Sequence, residues 1–328
     1  MSHYYRLYGL SVNSSRKIEL LDDVLPSTVD LYVTWVRTAM WIPDTSLVWQ
    51  QVLTRQLRKK ERIHFYSAES PFGIHFRISF TTRHGNLVVL IHPDKINVTI
   101  VHSDDEPESN MDSFFVGVIS GCIMRLRGLL CLHGSVVNVD GEAVVLVGKK
   151  KSGKSTTAKA FANLGFKVLS DDIAVIKFID GDFFVEPGYP KVRLRPQPLT
   201  VFYPDIAYEF VSVYSHRDSK YSDLGESFWG TPLKLGAIYL LDEDNDADGI
   251  PFVKPTSAER LVYLHSNTFA SYVLSPPEQK REFELLGRLA VETPVKHLHF
   301  SRNVKLVYQQ CEVILSDLKK PKGESPDN

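Results

Sequence analysis

Cysteine is scarce in this sequence and is not arranged to do chemistry. Its three cysteines, Cys122, Cys131 and Cys311, form no C-x-x-C pair and leave an odd number. That argues against a disulfide framework and against a zinc site built on paired thiols, and a reducing cytoplasm is the expected setting. Net charge is missing as well. The formal value of −1 gives no global reason to expect nucleic acid or an anionic membrane as partner. Long uninterrupted apolar runs are absent too. The most apolar stretch, Phe114 to Leu132, contains Arg125 and Arg127 and reads as a buried helix, not a membrane span. Met1 leads straight into polar and aromatic residues, so no signal peptide is expected at this start.

What is present describes a globular chain. A 43% hydrophobic fraction beside 23% charged residues is enough to bury a sizeable core, and 328 residues suggest one large or two ordinary domains. From Tyr4 to about Ser103 the pattern is mostly period two. Ile74 to Phe80 alternates apolar with polar, turns at His84-Gly85-Asn86 and returns over Leu87 to Ile91, which predicts an antiparallel hairpin. Asp30 to Val36, Arg62 to Tyr66 and Ile96 to Val101 also read as strands, and the histidines here stand singly, without ligand spacing. The acidic, proline-containing run Ser103 to Asn110 reads as a linker. A buried helix follows, with Asp112 or Ser113 as its cap. The expected organisation is a β-rich N-terminal module at 1–105, a catalytic domain at 110–318 and a disordered tail at 319–328.

The strongest signal is Gly148-Lys149-Lys150-Lys151-Ser152-Gly153-Lys154-Ser155, a full match to G-x-x-x-x-G-K-[ST]. The apolar run Ala143 to Val147 before it predicts a buried strand. Ala158, Phe161 and Leu164 after it fall at helical spacing and stop at Gly165, a good helix terminator. Strand, glycine loop and helix form the context a phosphate-binding loop requires. Loop N–H groups and the helix dipole would face nucleotide phosphates. Lys154 would reach the β- and γ-phosphates, and the Ser155 hydroxyl would ligate Mg²⁺.

Around this loop, Leu132 to Val139 reads as a strand headed by His133 and turned at Asp140-Gly141 into the loop strand. From spacing alone His133 is a packed or surface residue. Lys167-Val168-Leu169 predicts a short strand ending in Ser170-Asp171-Asp172. Ligands lie at the carboxyl ends of strands in open α/β sheets. Paired carboxylates there suit phosphoryl transfer, one for Mg²⁺ and one as base for an attacking hydroxyl.

Leu132-His133-Gly134, the loop Gly148 to Ser155, Gly165 and Ser170-Asp171-Asp172 resemble the HPr kinase/phosphorylase family in content, order and spacing. The resemblance covers about residues 130 to 180 and, more loosely, the rest of the C-terminal half. It implies a serine kinase on a P-loop sheet, with Asp171 as the base, Lys154 holding the transferring phosphate and Ser155 on Mg²⁺. His133 would stand beside the base, and Asp172 would be a second metal-side group. The sequence also departs from the family. Lys149-Lys150-Lys151 stands where Asp-Ser-Gly and one more residue are usual, and Thr156 where Glu is common. The family's second signature, L-G-[IL]-[IL]-[DN]-V, is not found, so phosphorolysis is not carried over. Nor do the first hundred residues look like the N-terminal domain of the bifunctional enzyme. Tyr4 to Val12, Gly188 to Leu194 and Asn267-Thr268-Phe269 further resemble the HPr kinase-like proteins of peptide natural-product clusters. Some of those phosphorylate a serine at the C-terminus of a lasso-peptide precursor.

The remaining C-terminal half adds weaker signals. Tyr189 to Pro196 places Lys191, Arg193 and Arg195 close together, as a grip for phosphate or an acidic peptide end or as an exposed basic edge strand; Arg193 is the preferred substrate candidate. Tyr214 to Gly230, with Arg217, reads as a polar loop. Gly236 to Asp242 is an apolar strand whose terminal acid offers an alternative metal-side carboxylate, and the acidic turn Glu243 to Gly249 lacks the ligand spacing of an EF-hand. Thr256 and Glu259 form a capping-box pattern, and Ser275-Pro276 starts another helix. His297 and His299 share one face of a strand without an evident third ligand, a surface reading. Ser301 is read as the cap of a final helix.

The expected fold is therefore α/β, a P-loop-containing mixed sheet core of the HPr kinase C-terminal type preceded by a β-rich module. The expected function is ATP- and Mg²⁺-dependent transfer of a phosphoryl group to a serine on a peptide or protein. Gly148, Lys149, Lys150, Lys151, Ser152, Gly153, Lys154, Ser155 and Thr156 would hold the nucleotide. A small-molecule kinase on the same core and a nucleotide-dependent regulatory or binding module stand as alternatives. Neither nucleic acid nor membrane is expected as partner, and association into homo-oligomers stays open.

Overall fold

The alternation that marks the first hundred residues becomes a single eight-stranded sheet in the computed structural model of the chain. The structure describes residues 2–25, 28–58, 61–82, 85–203, 220–243, 252–253, 255–300 and 303–319. Two compact units emerge. One comprises described residues up to Cys131 together with Phe269–Lys280, and the other comprises those from Leu132 to Thr268 and from Arg281 onward. Among the described residues no helix is long and apolar enough to cross a membrane.

In the first unit, β1 (His3–Leu7), β2 (Leu10–Ser14), β3 (Leu31–Arg37), β4 (Gln50–Arg58), β5 (Glu61–Ser70), β6 (Gly73–Thr81), β7 (Asn86–Ile91) and β8 (Asn97–His102) lie in the order β1-β2-β3-β8-β7-β6-β5-β4. Tyr8 and Gly9 join β1 to β2 with φ of 51° and 76°, the positive values that a two-residue hairpin turn demands. Alternate residues are buried: Ile78 and Phe80 on β6, Leu87, Val89 and Ile91 on β7, Val98 and Ile100 on β8. Helices α1 (Glu108–Phe114) and α2 (Ser120–Leu126), joined by the π-helical turn Phe115–Ile119, pack on these strands. The Phe80 and Phe114 rings lie 5.0 Å apart, and the Tyr8 hydroxyl donates to the Val116 carbonyl at 2.9 Å. This helical segment belongs with the first unit, which runs past the acidic linker.

The start of that segment differs from the sequence expectation. The helix begins at Glu108 behind Pro107, whose ring holds φ at −61°. Asp112 and Ser113 lie inside it, both buried. The Asp112 carboxylate does not cap; it accepts from the Glu19 N–H at 2.8 Å and pairs with Arg16.

Beyond β9 (Leu130–Leu132), where the units divide, the chain forms β10 (Gly134–Val139), β11 (Glu142–Val147), α3 (Lys154–Asn163), β12 (Lys167–Ser170), β13 (Ala174–Ile179), β14 (Asp182–Glu186), β15 (Lys191–Leu194), α4 (Pro196–Phe202), β16 (Lys220–Asp223) and β17 (Leu233–Glu243). Then follow β18 (Phe252–Val253), α5 (Ser257–Ser266), α6 (Pro276–Glu292), β19 (Val295–Phe300) and α7 (Val307–Leu318). The sheet of the second unit runs β12-β10-β11-β17-β14-β13, with β19 also on β17. β11 pairs parallel with β17, and β17 pairs parallel with β19; β10 is antiparallel to both β11 and β12. The carboxyl ends of β11, β12, β17 and β19 therefore meet the amino end of β10 at one end of the sheet. The architecture is mixed α/β.

Between this sheet and its helices lies a core of Val137, Val144, Leu146, Val168, Tyr239 and Leu241 against Ala158 and Phe161 of α3 and Val307, Cys311 and Ile314 of α7. The buried Tyr239 hydroxyl donates to Asp317 Oδ2 at 2.7 Å, and Lys296 pairs with the same oxygen, which ties α7 to the strands. The capping box at Thr256 and Glu259 forms as read. Ser301 lies outside the described residues; Asn303 caps the 3₁₀ turn that leads into α7, accepting from the Lys305 N–H at 3.1 Å. Residues 214–219 of the polar loop, including Arg217, the acidic turn after Glu243 and the tail after Lys319 also lie outside the described residues; the described remainder of that loop opens as strand β16.

Candidate active site

The glycine loop occupies the gathered end of the sheet. Gly148 leaves β11 with φ at 147°, and a Cβ there would stand 2.4 Å from the Leu241 carbonyl and 2.7 Å from Ser152 Oγ. Lys151 and Gly153 take further positive φ values, 80° and 86°, and deliver the chain into α3 at Lys154. The first N–H groups of that helix have no partner within it and suit an anion. Lys154 is 6% exposed and folds back over the loop, donating to the carbonyls of Gly148 at 2.7 Å and Lys149 at 2.9 Å. Burial lowers its pKa to about 8, against the opposing pull of Asp172 and Asp171. Among the described residues the buried Ser152 hydroxyl has no hydrogen-bond partner, while Lys149, Lys150 and Lys151 are exposed and Thr156 is half-buried on α3.

Directly after β12, Asp171 is fully buried. Ser135 of β10 donates its hydroxyl to Oδ1 at 2.6 Å, and the Arg193 N–H of β15 donates to Oδ2 at 2.9 Å. The nearby Ser155 hydroxyl also works to hold the carboxyl's pKa down. Burial pushes Asp171 above the usual carboxylate range, the charge of Asp172 pushes the same way, and the hydrogen bonds oppose both. Asp172 faces elsewhere. Its φ is 67°, its side chain is 14% exposed, and Oδ1 accepts from Arg193 Nη2 at 3.2 Å.

His133 sits at the head of β10, half-buried, with Nδ1 at 2.9 Å from the Asp172 carbonyl. A carbonyl only accepts, so the proton is on Nδ1. Burial lowers the His133 pKa and Lys154 lowers it further. Gly134 follows because a Cβ there would meet the Leu146 carbonyl at 2.7 Å. The sheet thus brings together His133, Lys154, Ser155, Asp171, Asp172 and Arg193, which span 61 positions from first to last (193 − 133 = 60 steps). Ser135 was not singled out in the sequence. Its only signal is strand alternation, which puts it two residues beyond His133 on β10.

Asp242 lies at the same end of the sheet, in register with His299 of β19. It pairs with His297 Nε2 at 3.4 Å, and the two histidine rings lie 4.2 Å apart. His297 is buried under Tyr263, not a surface residue as its spacing suggested. Among the described residues no group of three or more His, Cys, Asp or Glu is placed to hold a metal ion. The oxygen groups read from the sequence as metal-side, the Ser155 hydroxyl and the partly exposed Asp172 carboxylate, are nevertheless of the kind that suits Mg²⁺. That ion commonly takes one or two protein oxygens and completes its shell from phosphates and water.

Comparison with known proteins adds a direction. No family model matches the chain. It is 30% identical over 78 residues to an HPr kinase/phosphorylase of Lachnoclostridium phytofermentans, covering 24% of this chain and 25% of the relative. It is 27% identical over 158 residues to an HPr kinase/phosphorylase of Clostridium tetani, covering 46% and 49%. The chain thus spans about half the length, or less, of these curated relatives. Among solved structures, the Hpr(Ser) kinase/phosphatase from Coxiella burnetii aligns with 10% identity and a TM-score of 0.33, covering 59% of this chain and 99% of that one. Across the aligned part of its sequence, this chain is similar to HPr kinase/phosphorylases.

Proposed function

We propose that the chain is an ATP- and Mg²⁺-dependent serine kinase of the HPr kinase type, with its catalytic site in the second unit. The observation that carries this reading is the convergence at one end of a sheet of a glycine loop, a buried lysine on that loop and a pair of aspartates. Lys154 and the loop amides would hold the β- and γ-phosphates, replacing the carbonyls that Lys154 now meets. Ser155 would hold Mg²⁺, with Asp172 as the second metal-side group. When bound, the ion would offset the negative charge of the phosphates during transfer. With so little covalent work for the protein to do, positioning and electrostatics would supply most of the rate. Similarity to proteins named HPr kinase/phosphorylase supports the same reaction class.

The acceptor that the sequence resemblance favours is a serine at the end of a small precursor peptide; the HPr protein is the other candidate. The deciding experiment incubates the purified chain with ATP and Mg²⁺ and either a peptide ending in serine, HPr or a panel of hydroxylated metabolites, with mass spectrometry as readout. Phosphorylation of the peptide or of HPr on serine is expected. A phosphorylated metabolite with both polypeptides unmodified would identify a small-molecule kinase. Nucleotide binding without any transfer would identify a regulatory module.

A further inference from the structure

The eight-stranded sheet of the first unit has two unlike faces. Paired across neighbouring strands, Phe65, Ile78, Val89, Ile100 and Trp35 form one row. Helical residues pack on that side: the Phe114 ring meets Phe80, and Phe115 meets Trp35 at 5.9 Å. The adjacent row, Tyr66, Arg77, Leu90, Thr99 and Thr34, belongs to the other face, because side chains alternate along a strand. Thr34 is exposed and the other four are half-buried, so this face is open to solvent. Charge divides in the same way. Arg6, Arg62 and Arg77 have the parity of the open face, and among the described residues none of them pairs with a carboxylate. Among the strand residues of this sheet whose side chains are described, the one carboxylate is Glu69, which has the parity of Phe65 on the covered face. The chain carries 39 acidic residues against 38 lysines and arginines, so overall composition does not account for this asymmetry.

We propose that this open face docks an acidic, partly apolar segment of a polypeptide partner, gripped at Arg77 and Arg62 and seated on Tyr66 and Leu90. The proposal concerns the first unit and stands without the kinase reading. Arg77 is braced for the task. Its guanidinium lies 5.3 Å from the Tyr66 ring, and its Nε donates to Ser79 Oγ at 3.2 Å. Tyr66 in turn stacks with His64 at 6.3 Å, and His64 Nδ1 meets the Thr54 hydroxyl at 2.8 Å. A side chain held this way on a strand loses little freedom on gripping a carboxylate. Arg62 lies four residues from Tyr66 on β5, roughly 13 Å along an extended chain, so acids at that spacing in the partner fit both arginines. The residue types favour a polypeptide over a nucleic acid. None of the eight strands contains a lysine, and arginine and tyrosine without lysine is the composition of protein interfaces. A surface that tracks a phosphate backbone draws its affinity from many cations, and here three arginines are spread over β1, β5 and β6.

The test titrates the full chain into a short fluorescein-labelled peptide of glutamate, leucine and glycine, read by anisotropy at low salt. The same peptide with lysine for glutamate, and a labelled oligouridylate, serve as comparisons. The glutamate peptide should bind, and both comparisons should bind at least about tenfold more weakly. Arg62→Gln and Arg77→Gln together should lower affinity for the glutamate peptide at least about tenfold. Arg37→Gln changes an exposed arginine of β3 that has the parity of the covered face and pairs with Asp104 at 3.5 Å, and should leave affinity within about twofold. Because loss of binding can also follow from misfolding, Arg77→Glu supplies a gain: it should shift preference toward the lysine peptide. A wild-type chain that ignores the glutamate peptide overturns the proposal, as does a double variant that binds it like the wild type. Loss of binding on changing Lys149, Lys150 and Lys151 to serine, with the arginine variants unaffected, moves the acidic-peptide site to the glycine loop and overturns it too. Tighter binding of the oligouridylate than of the glutamate peptide overturns the choice of partner.

Discussion

The Ser135 hydroxyl reaches across the antiparallel pair β10 and β12 to the Asp171 carboxylate at 2.6 Å. Both residues are fully buried, so water is not there to replace either partner. Ser135→Ala removes one of the donors that compensate a sealed carboxylate. Losing a partner of a buried charged group costs more than the net worth of an ordinary hydrogen bond, about 1–3 kcal/mol. A lower midpoint in chemical denaturation with an unchanged slope is expected. An unchanged midpoint would mean that the neighbouring donors suffice.

Two loop glycines carry different constraints and should respond differently. Gly148→Ala sets a Cβ 2.4 Å from the Leu241 carbonyl, a backbone atom that cannot swing away, and does so at φ 147°. Gly153→Ala meets nothing closer than 3.8 Å and bears only the cost of its φ of 86°, about 1–2 kcal/mol. The thermal midpoint should fall further for Gly148→Ala than for Gly153→Ala. Equal losses would show that backbone conformation alone, and not the contact with β17, selects glycine at 148.

Much of this geometry is readable in the sequence because its causes are local. The Asp140-Gly141 and Asp180-Gly181 turns have positive φ at both residues, and the Thr256–Glu259 box satisfies its own helix end. The acid pair after β12 is likewise announced by a short apolar run followed by two carboxylates. What escapes is set by strands distant in sequence. Ser135 matters only because β10 lies beside β12, and the Arg193 N–H only because β15 reaches Asp171. The same cause misdirects the local reading at Asp112. An Asp-Ser pair before an apolar run looks like a cap, yet that carboxylate is occupied by Arg16 and Glu19, some ninety residues earlier. His297 reads as exposed until Asp242 of β17 and Tyr263 of α5 close over it.

Lys154 distinguishes a functional cation from a structural one. Its ammonium is buried on two carbonyls, and burial lowers its pKa, the sign that the fold holds this charge at a cost. Lys154→Met keeps the apolar stem and removes the charge. Thermal stability should hold or rise, while affinity for a fluorescent ATP analogue falls at least about tenfold, the loss of one strong charge-assisted contact of roughly 1.5–3 kcal/mol. The opposite outcome, with nucleotide affinity retained and stability lost, would make Lys154 a prop for the loop and not a phosphate ligand.

The three cysteines give a prediction independent of catalysis. Cys122, Cys131 and Cys311 are each 0% exposed, and burial pushes each thiol up to about 12. The thiolate is the nucleophile, so a disulfide reagent should modify none of them in the native protein and all three in guanidinium. The same burial has a pH signature. Between 9, the ordinary thiol value, and about 12, the unfolded chain releases these protons while the native one keeps them. The native state then binds more protons, and stability must fall as pH rises through that window, by at most about 1.4 kcal/mol per pH unit for each thiol. Cys122→Ala and Cys131→Ala together should flatten the decline measured by denaturation between pH 9 and 11. If the slope of this variant matches that of the wild type, other groups carry the alkaline loss and the two thiols are not sealed as the fold requires.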